Sequence, residues 1–206
     1  MSEAFEFTAE NLAQAKKIIA RYPEGYQASA VMPLLTIAQQ QNALHLSVPA
    51  IEYVAEMLEM PVIRAMEVAS FYTMYNLDPV GRHMIEVCTT TPCWLRGSEK
   101  VVKACEKALG ITVGQTTEDG MFTLKEAECL GACVNAPMCQ IGDHYYEDLS
   151  EDSMVAIIET LKAGGTPKPG PQIDRQTSAP AGGLTTLTGK PGKPELRTDG
   201  ALDGDD

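Results

Sequence analysis

The stretch His83-Met-Ile-Glu-Val-Cys-Thr-Thr-Thr-Pro-Cys93 carries a predicted buried strand directly into a pair of cysteines. A second predicted strand, 122–127, leads in the same way into Cys129-Leu-Gly-Ala-Cys133. Both pairs are therefore expected on loops that follow strands, where a rigid scaffold can hold their side chains. Four thiolates that converge from two such loops can hold a metal centre.

The elements around these loops predict the fold. Between the two strands, residues 98–109 form a predicted helix that ends at Gly110, with an inward face made of Val101, Val102, Cys105, Ala108 and Leu109. Residues 138–141 and 143–147 follow as a strand and its hairpin return, and Ser150 is predicted to cap a last helix. The order strand–helix–strand, then strand–strand–helix, predicts a thioredoxin-like α/β sandwich over residues 79–163.

Residues 1–78 read as four short amphipathic helices separated by prolines. Thr8 and Ser47 are expected to cap the first and third of them, residues 30–41 to form the second, and Pro61 to restart the chain into the fourth. The fold class predicted is α+β, with a small helical bundle before the α/β domain. Residues 164–206 form an extended tail rich in Gly and Pro, which is either a plain disordered tail or an arm that docks onto a partner.

A dense aromatic cluster, Ser70-Phe-Tyr-Thr-Met-Tyr-Asn76, ends the helical segment. The favoured interpretation places Phe71, Tyr72 and Tyr75 in the core or at a seam between domains. The alternative is a surface that anchors a partner protein, because aromatic residues and Met are enriched in interface cores.

The spacing of the cysteine pairs narrows the kind of metal centre. Four residues separate Cys88 from Cys93 and three separate Cys129 from Cys133, whereas zinc sites mostly use repeated Cys-x-x-Cys knuckles. An opening Cys-x4-Cys is known for [2Fe–2S] sites. The pattern favours one [2Fe–2S] cluster, with structural zinc second and redox-active or disulfide cysteines third. Cys105 and Cys139 are predicted to be buried structural thiols.

The residues between the ligands suit an anionic cluster. Thr89, Thr90 and Thr91 offer hydroxyls, and Gly131 permits the backbone conformation that a short loop needs. Trp94, Leu130 and Met138 are candidates to shield the centre, although ordinary packing is the favoured role for each. The scattered positions of His45, His83 and His144 disfavour ligation by histidine.

Composition and missing motifs limit the other functions. The 206 residues are 44 % hydrophobic and 21 % charged, an ordinary globular balance, and the net charge of −12 disfavours nucleic acid or anionic lipid as a direct partner. No apolar stretch approaches the length of a membrane span, and the acidic start of the chain predicts a cytosolic protein without a targeting peptide. With no phosphate-binding loop and no nucleophile–base constellation, the chain reads as an electron-carrying component of a larger enzyme.

Several motifs closely resemble the 24 kDa [2Fe–2S] proteins of respiratory NADH:quinone oxidoreductase, complex I. They are Ala69-Ser-Phe-Tyr-Thr-Met-Tyr-Asn76, Val87-Cys-Thr-Thr-Thr-Pro-Cys93, Glu128-Cys-Leu-Gly-Ala-Cys-Val-Asn-Ala-Pro-Met138 and Tyr145-Tyr-Glu-Asp-Leu149, with Pro167-Lys-Pro-Gly-Pro171 and Pro180-Ala-Gly-Gly-Leu184 in the tail. The tail motifs resemble the mitochondrial and alphaproteobacterial branch of that family.

The resemblance implies a helical bundle followed by a thioredoxin-like ferredoxin domain in which Cys88, Cys93, Cys129 and Cys133 ligate the cluster. It also implies a pairing with a 51 kDa-type flavoprotein that carries FMN and the NADH site, and an association with the larger iron–sulfur protein of the peripheral arm. The location implied is the cytoplasmic face of the inner membrane, reached through the complex, or the matrix side for a processed organellar form. Two alternatives remain open: the equivalent component of an NAD-linked hydrogenase or formate dehydrogenase, and a structural zinc adaptor.

Overall fold

Residues 4–183, together with residues 185, 186 and 188, are described by the computed structural model of the chain. Four helices come first: α1 (Ala9–Ile19), α2 (Val31–Gln41), α3 (Val48–Met57) and α4 (Val62–Phe71). A single 3₁₀ turn, Gln27–Ala30, leads into α2. The four helices predicted from the sequence are thus confirmed. None of the helices in the described part of the chain is long and apolar enough to cross a membrane.

Side-chain caps fix the starts of three helices where the sequence predicted them. The Thr8 hydroxyl accepts from the N–H of Asn11 at 3.2 Å, and the Ser47 hydroxyl accepts from the N–H of Ala50 at 3.4 Å. Ser150 accepts from the N–H of Ser153 at 3.1 Å. Each cap pairs an N–H group that has no partner inside the helix.

The second half of the chain alternates strands and helices. It contains β1 (His83–Cys88), α5 (Thr91–Leu95), α6 (Ser98–Leu109), β2 (Phe122–Ala127), β3 (Cys139–Ile141), β4 (His144–Glu147), α7 (Glu151–Lys162) and β5 (Gly170–Pro171). The predicted strands and the two long helices are confirmed. The five-residue α5 is not predicted from the sequence, because the Thr-Pro-Cys at its start indicates a loop.

One mixed sheet brings both cysteine loops to the same end of its strands. The strand order is β2-β1-β3-β4-β5, with β1 parallel to β2 and antiparallel to β3. In the parallel register Cys88 lies beside Ala127, so β1 and β2 end together. Both cysteine loops therefore leave from the same carboxyl end of these strands. This is the arrangement that the order of elements predicted.

Buried apolar residues form separate clusters in the two halves of the chain. One cluster lies among α1–α4 and ends at Tyr75, with Leu34, Leu35, Ile51 and Val54 fully buried in it. The other joins β1, β2 and β3 to α6 and α7. We propose a domain boundary between residues 78 and 79, because the two clusters share no residue. A hydrogen bond of 2.9 Å from Lys125 Nζ to Asn76 Oδ1 links the halves.

The aromatic segment corrects one prediction. Tyr75 is buried and its hydroxyl donates to the carbonyl of Met32 at 2.8 Å, so its core assignment is confirmed. Phe71 is 77 % exposed, so its placement in the core or at a seam is wrong, whereas Tyr72 is 39 % exposed and lines the cleft between the helical half and the sheet, which agrees with the seam. Phe71 ends α4 two residues after the buried Ala69, which turns it away from the buried face of the helix.

The described part of the tail packs on the chain's own sheet, an arrangement that neither interpretation of the tail included. Strand β5 pairs in parallel with β4, and Arg175 forms an ion pair with Asp148 at 3.0 Å. The pairing uses main-chain groups of Gly170 and Pro171, whose side chains gave no strand signal. Leu184, Leu187 and residues 189–206 of the predicted tail lie outside the described residues.

Candidate metal centre

The four cysteines of the two pairs lie at or shortly after the carboxyl ends of β1 and β2. Cys88 is the last residue of β1, Cys93 lies in α5, Cys129 follows β2, and Cys133 begins the 3₁₀ turn Cys133–Asn135. Cys88, Cys129 and Cys133 agree with the prediction that the cysteines lie at strand ends or on the loops that follow. Cys93 lies instead within a short helix, which begins after Thr90 and continues to Leu95.

The two pairs face each other. The sulfurs of Cys129 and Cys133 are 3.5 Å apart, and the Cys93 thiol lies within hydrogen-bonding reach of Cys88. Charge at Cys88 acts on both residues of the second pair, and charge at Cys133 acts on Cys93. The two pairs are therefore close enough for the charge on one to influence the thiols of the other.

The surroundings of the two buried thiols, Cys88 and Cys93, shift their pKa values in opposite directions. Burial, together with the hydrogen bond and charge of Cys88, raises the pKa of Cys93 to about 12. Burial also acts to raise the pKa of Cys88, but hydrogen bonds from the Thr90 side chain and from the backbone N–H groups of Leu130 and Thr90 outweigh it, and the pKa is lowered. The Thr90 hydroxyl oxygen lies 3.4 Å from the Cys88 sulfur. Cys88 is thus held ready to carry negative charge.

Backbone N–H groups point at the other sulfurs as well. The N–H of Gly131 donates to Cys129 and helps to lower its pKa, and the N–H of Met138 donates to Cys93. Gly131 has a φ of +85°, a conformation that lets the short loop turn its N–H groups inward. Such donors stabilise a thiolate-bound anionic cluster and tune its potential.

An apolar shell covers the inner side of the site. Cys88 and Cys93 are each 2 % exposed and pack with Ala136 and Met138, and Leu130, Ala132 and Tyr145 lie partly buried against them. The Tyr145 hydroxyl donates to the carbonyl of Leu130 at 2.8 Å and so fixes the loop that carries Cys129. Met138 and Leu130 thus pack as the favoured interpretation has it, and because they pack against the cysteines they also lie where the shielding alternative places them.

The outer side is open. Cys129 and Cys133 are exposed, and Cys129 lines a cleft of about 1160 Å³ between the aromatic segment and the sheet. Trp94 is 54 % exposed, with its Nε1–H donating to Glu99 at 3.0 Å, so neither shielding nor core packing describes it. Leu95 and Val134 are also exposed near the site, 70 % and 68 % respectively.

The other two cysteines do not join the group. Cys105 and Cys139 are fully buried in the core of the α/β half, and the Cys139 sulfur lies 3.9 Å from that of Met154. Burial raises the pKa of both thiols, that of Cys105 to about 12, so they stay protonated. Their prediction as buried structural thiols is confirmed.

Asn135 and Arg175 were not identified from the sequence as parts of the site. Asn135 is 1 % exposed, two residues after Cys133, and its side-chain amide donates to Glu147 at 2.8 Å and to the carbonyl of Thr177 at 2.9 Å. Arg175 reaches the carbonyl of Val134 at 3.5 Å. The only signal for Asn135 was its place inside the second cysteine motif, and Arg175 had none.

The donor set fits a two-iron cluster. Within residues 4–183, no three His, Cys, Asp or Glu side chains are placed to hold a single metal ion. The four thiols stand as two facing pairs, and a [2Fe–2S] cluster takes two thiolates on each of its irons. The N–H donors around the sulfurs suit the negative charge of such a cluster.

Comparisons with known proteins agree on a family. Residues 15–162 match the family described as thioredoxin-like [2Fe–2S] ferredoxin. The chain is 60 % identical, over 158 residues, to the E-type component of NADH-quinone oxidoreductase from Rickettsia conorii, a match that covers 77 % of this chain and 95 % of that protein. It is 48 % identical over 195 residues to the mitochondrial NADH dehydrogenase [ubiquinone] flavoprotein 2 of Dictyostelium discoideum, covering 95 % of this chain and 79 % of that one.

Among solved structures, an air-oxidised NAD⁺-reducing [NiFe]-hydrogenase is similar in fold. The TM-score is 0.55 at 23 % identity, over 63 % of this chain. The matched region is only 23 % of the hydrogenase chain. At this identity the likeness concerns the fold alone.

Proposed function

Because this chain belongs to the thioredoxin-like [2Fe–2S] ferredoxin family, in the branch of the E-type components of NADH-quinone oxidoreductase, we propose that it is the electron-transfer component of that enzyme's NADH-oxidising module. Cys88, Cys93, Cys129 and Cys133 hold one [2Fe–2S] cluster. The observation that carries the ligand assignment is the close approach of the two cysteine pairs from two strand-end loops, with N–H donors directed at their sulfurs.

When bound, the cluster supplies a centre that accepts and releases one electron at a time. The chain's own residues hold it and control its surroundings. Met138 and Leu130 keep water from the inner side, and Thr90 with the N–H of Gly131 supplies hydrogen bonds to the thiolates. The exposed side at Cys129 and Cys133 leaves a short path for an electron to a neighbouring protein.

The partner is a flavoprotein of the 51 kDa type, which carries FMN and binds NADH, and the larger iron–sulfur protein of the peripheral arm lies beyond it. Exposed apolar side chains near the cysteines support such a partner: Trp94 and Leu95 directly follow Cys93, and Met74 lines the same cleft as Cys129. We infer a cytoplasmic location, peripheral on the inner membrane through the complex, or the matrix side in an organelle. The NADH site and the chemistry on NADH belong to the partner.

The test is spectroscopic. The purified full chain should be brown, contain two irons per protein and no stoichiometric zinc, and give an EPR signal only after reduction. A colourless protein with bound zinc would contradict the proposal and favour the zinc adaptor. Co-purification with native partners then decides to which enzyme the chain belongs. A flavoprotein together with quinone-reductase subunits is expected, and hydrogenase or formate dehydrogenase subunits would overturn the assignment.

A further inference from the structure

We propose that residues 170–179, the tail strap, fix the turn that carries Cys133, and that Arg175 is a positioning residue for the cluster held there. The inference rests on the proposed function, because it takes Cys133 as a ligand. It adds a role for a part of the tail that contributes none of the four cysteines.

The strap is fastened at two ends. At one end β5 adds to the edge of the sheet, and the N–H of Gln172 donates to the carbonyl of Glu147 at 2.9 Å. At the other end the Arg175 Nε–H donates to the carbonyl of Ala179 at 2.8 Å, which closes the strap into a turn. The chain between the two ends passes over the residues that follow Cys133.

Arg175 joins the strap to the sheet and to the Cys133 turn at once. Its guanidinium donates to both carboxylate oxygens of Asp148, at 3.0 and 3.3 Å, and to the carbonyl of Val134 at 3.5 Å. The Arg175 and Asp148 side chains are only 7 % and 8 % exposed, so water screens this pair weakly. All three of these contacts come from Nη1 and the bond to Ala179 comes from Nε, so two nitrogens of one guanidinium serve the sheet, the turn and the strap.

Asn135 completes the connection from the turn side. Its amide donates to Glu147 on the sheet and to Thr177 on the strap, and its own carbonyl accepts from the N–H of Asp148 at 2.7 Å. Glu147 and Asp148 place two carboxylates side by side here. Burial and the charge of Asp148 raise the pKa of Glu147, while Asn135 and Arg175 act in the opposite direction. Arg175 is thus the cation that lets these carboxylates stay close together beneath the turn.

The consequence concerns Cys133. Its partner Cys129 is exposed, and the inner pair is already held by packing against Ala136 and Met138, so the second pair is the weaker side of the site. The turn at Cys133–Asn135 has only one internal backbone bond of good length, from the N–H of Asn135 to the carbonyl of Ala132 at 2.9 Å. Without the strap, the turn would keep its bonds from Asn135 to Glu147 and Asp148 but lose those to Thr177 and Arg175, so Cys133 would be held less firmly.

The test compares full-length, cluster-loaded proteins: the unchanged chain, Arg175→Met, Arg175→Lys and the control Lys162→Met. Lys162 also joins two elements, donating to the carbonyl of Ala108 and to Glu159, but it lies in α7 and touches none of the four proposed ligands. Loss of the visible absorption in excess chelator measures how firmly the cluster is held. EPR of the reduced protein reports the ligand geometry.

Arg175→Met is expected to lose its cluster about tenfold faster, the factor that corresponds to one lost hydrogen bond to a charged group, and to shift the EPR signal. Arg175→Lys should fall between Arg175→Met and the unchanged chain, because an ammonium keeps the charge but cannot replace the separate Nε–H bond to Ala179. This variant decides the question if Arg175→Met does not fold. Lys162→Met should match the unchanged chain.

Equal rates for Arg175→Met and the unchanged chain would overturn the proposal. So would an equal acceleration in Lys162→Met, since the effect would then be a general loss of stability. Hydrogen exchange on the cluster-free chain gives an independent readout: Arg175→Met should expose the amides of residues 133–136 and leave those of β2 protected. If the unchanged chain binds no [2Fe–2S] cluster, the proposed function fails, and the exchange measurement still decides whether the strap holds the turn.

Discussion

At the scale of single residues, the site depends on a contrast between two kinds of cysteine. Cys88 receives hydrogen bonds that favour its thiolate, whereas Cys105 and Cys139 lie in an apolar core that favours the thiol. Burial alone therefore does not separate ligands from core cysteines, since Cys93 is as buried as they are. What distinguishes the proposed ligands is that other sulfurs and backbone N–H donors lie close to them.

Replacing Cys93 with Ala should abolish the cluster or remodel it, because three thiolates leave one iron short of a ligand. The visible spectrum and the EPR signal of the reduced protein measure this. Cys105→Ala is the matched control, since it removes a thiol that is equally buried and lies in the core behind the sheet. If both changes bleach the cluster to the same extent, the assignment of ligands is wrong.

Gly131→Ala tests the inward turn of the Cys129 loop. A side chain at a φ of +85° costs about 1 kcal/mol of stability. Among the described residues other than its two chain neighbours, none has an atom within 4 Å of the added methyl group, so the cost is conformational and not a clash. We expect a lower free energy of unfolding in urea and a cluster that is released faster to chelator.

Gly110→Ala serves as the control for this change. Gly110 has a φ of +69° at the end of α6 and equally open surroundings, so its conformational cost should be similar. Its cluster should be as stable as that of the unchanged chain. A faster release in both variants would mean that global stability, and not the loop, governs the retention of the cluster.

At the scale of elements, the regular structure was largely predictable and the fine structure of the site was not. Helices with capping residues and an apolar period, such as α7 after Ser150, carry their own local signals. Strand β5 carries none, because it pairs through its backbone alone. The same reason hid the contact between Arg175 and Val134, which are 41 residues apart in the chain.

Exposure was the other property that sequence could not supply. Phe71 and Tyr72 have the composition of a core, and only the packing of α4 reveals that Phe71 is largely exposed and that Tyr72 lines the cleft. That the two cysteine pairs come together was predictable, because each pair follows a strand and the two strands end together; their role as ligands stays a prediction. The residues that hold their loops were not predictable, since each acts through a long-range hydrogen bond.

Ser150→Ala should lower the free energy of unfolding by about 1 kcal/mol, because it removes the acceptor for the N–H of Ser153 at the start of α7. Helix α7 buries Met154, Ile158 and Leu161, so fraying at this end is transmitted to the core of the α/β half. Ser70→Ala is a suitable control, since the Ser70 hydroxyl only donates back to carbonyls of its own helix. Denaturant titrations of the two variants check this, and equal losses would contradict a capping contribution.

At the scale of the whole molecule, the cluster and the aromatic segment open onto the same side. The cleft of about 1160 Å³ is lined by residues 72–77 on one wall and by residues 126–130, with Cys129 among them, on the other. Lys125 and Asn76 bridge the two walls. A partner that enters this cleft would contact the helical half and approach the cluster at the same time, which couples docking to a short electron path.

Phe71→Ser tests whether this side binds the flavoprotein partner. Phe71 is 77 % exposed and stacks edge-on, at a centroid distance of 5.1 Å, against Tyr72 of the cleft wall, so its replacement should leave the fold and the EPR signal of the cluster unchanged. Buried aromatic anchors often contribute about 2 kcal/mol or more to an interface, so binding of the purified flavoprotein should weaken by about tenfold or more.

Tyr26→Ser is the matched control, because Tyr26 is an aromatic residue 66 % exposed that lies outside both the cleft lining and the aromatic segment. Affinity measured by titration calorimetry should fall for Phe71→Ser alone. An unchanged affinity in that variant would remove this surface from the interface, and an equal fall in both variants would show that the loss is not specific to this side of the molecule.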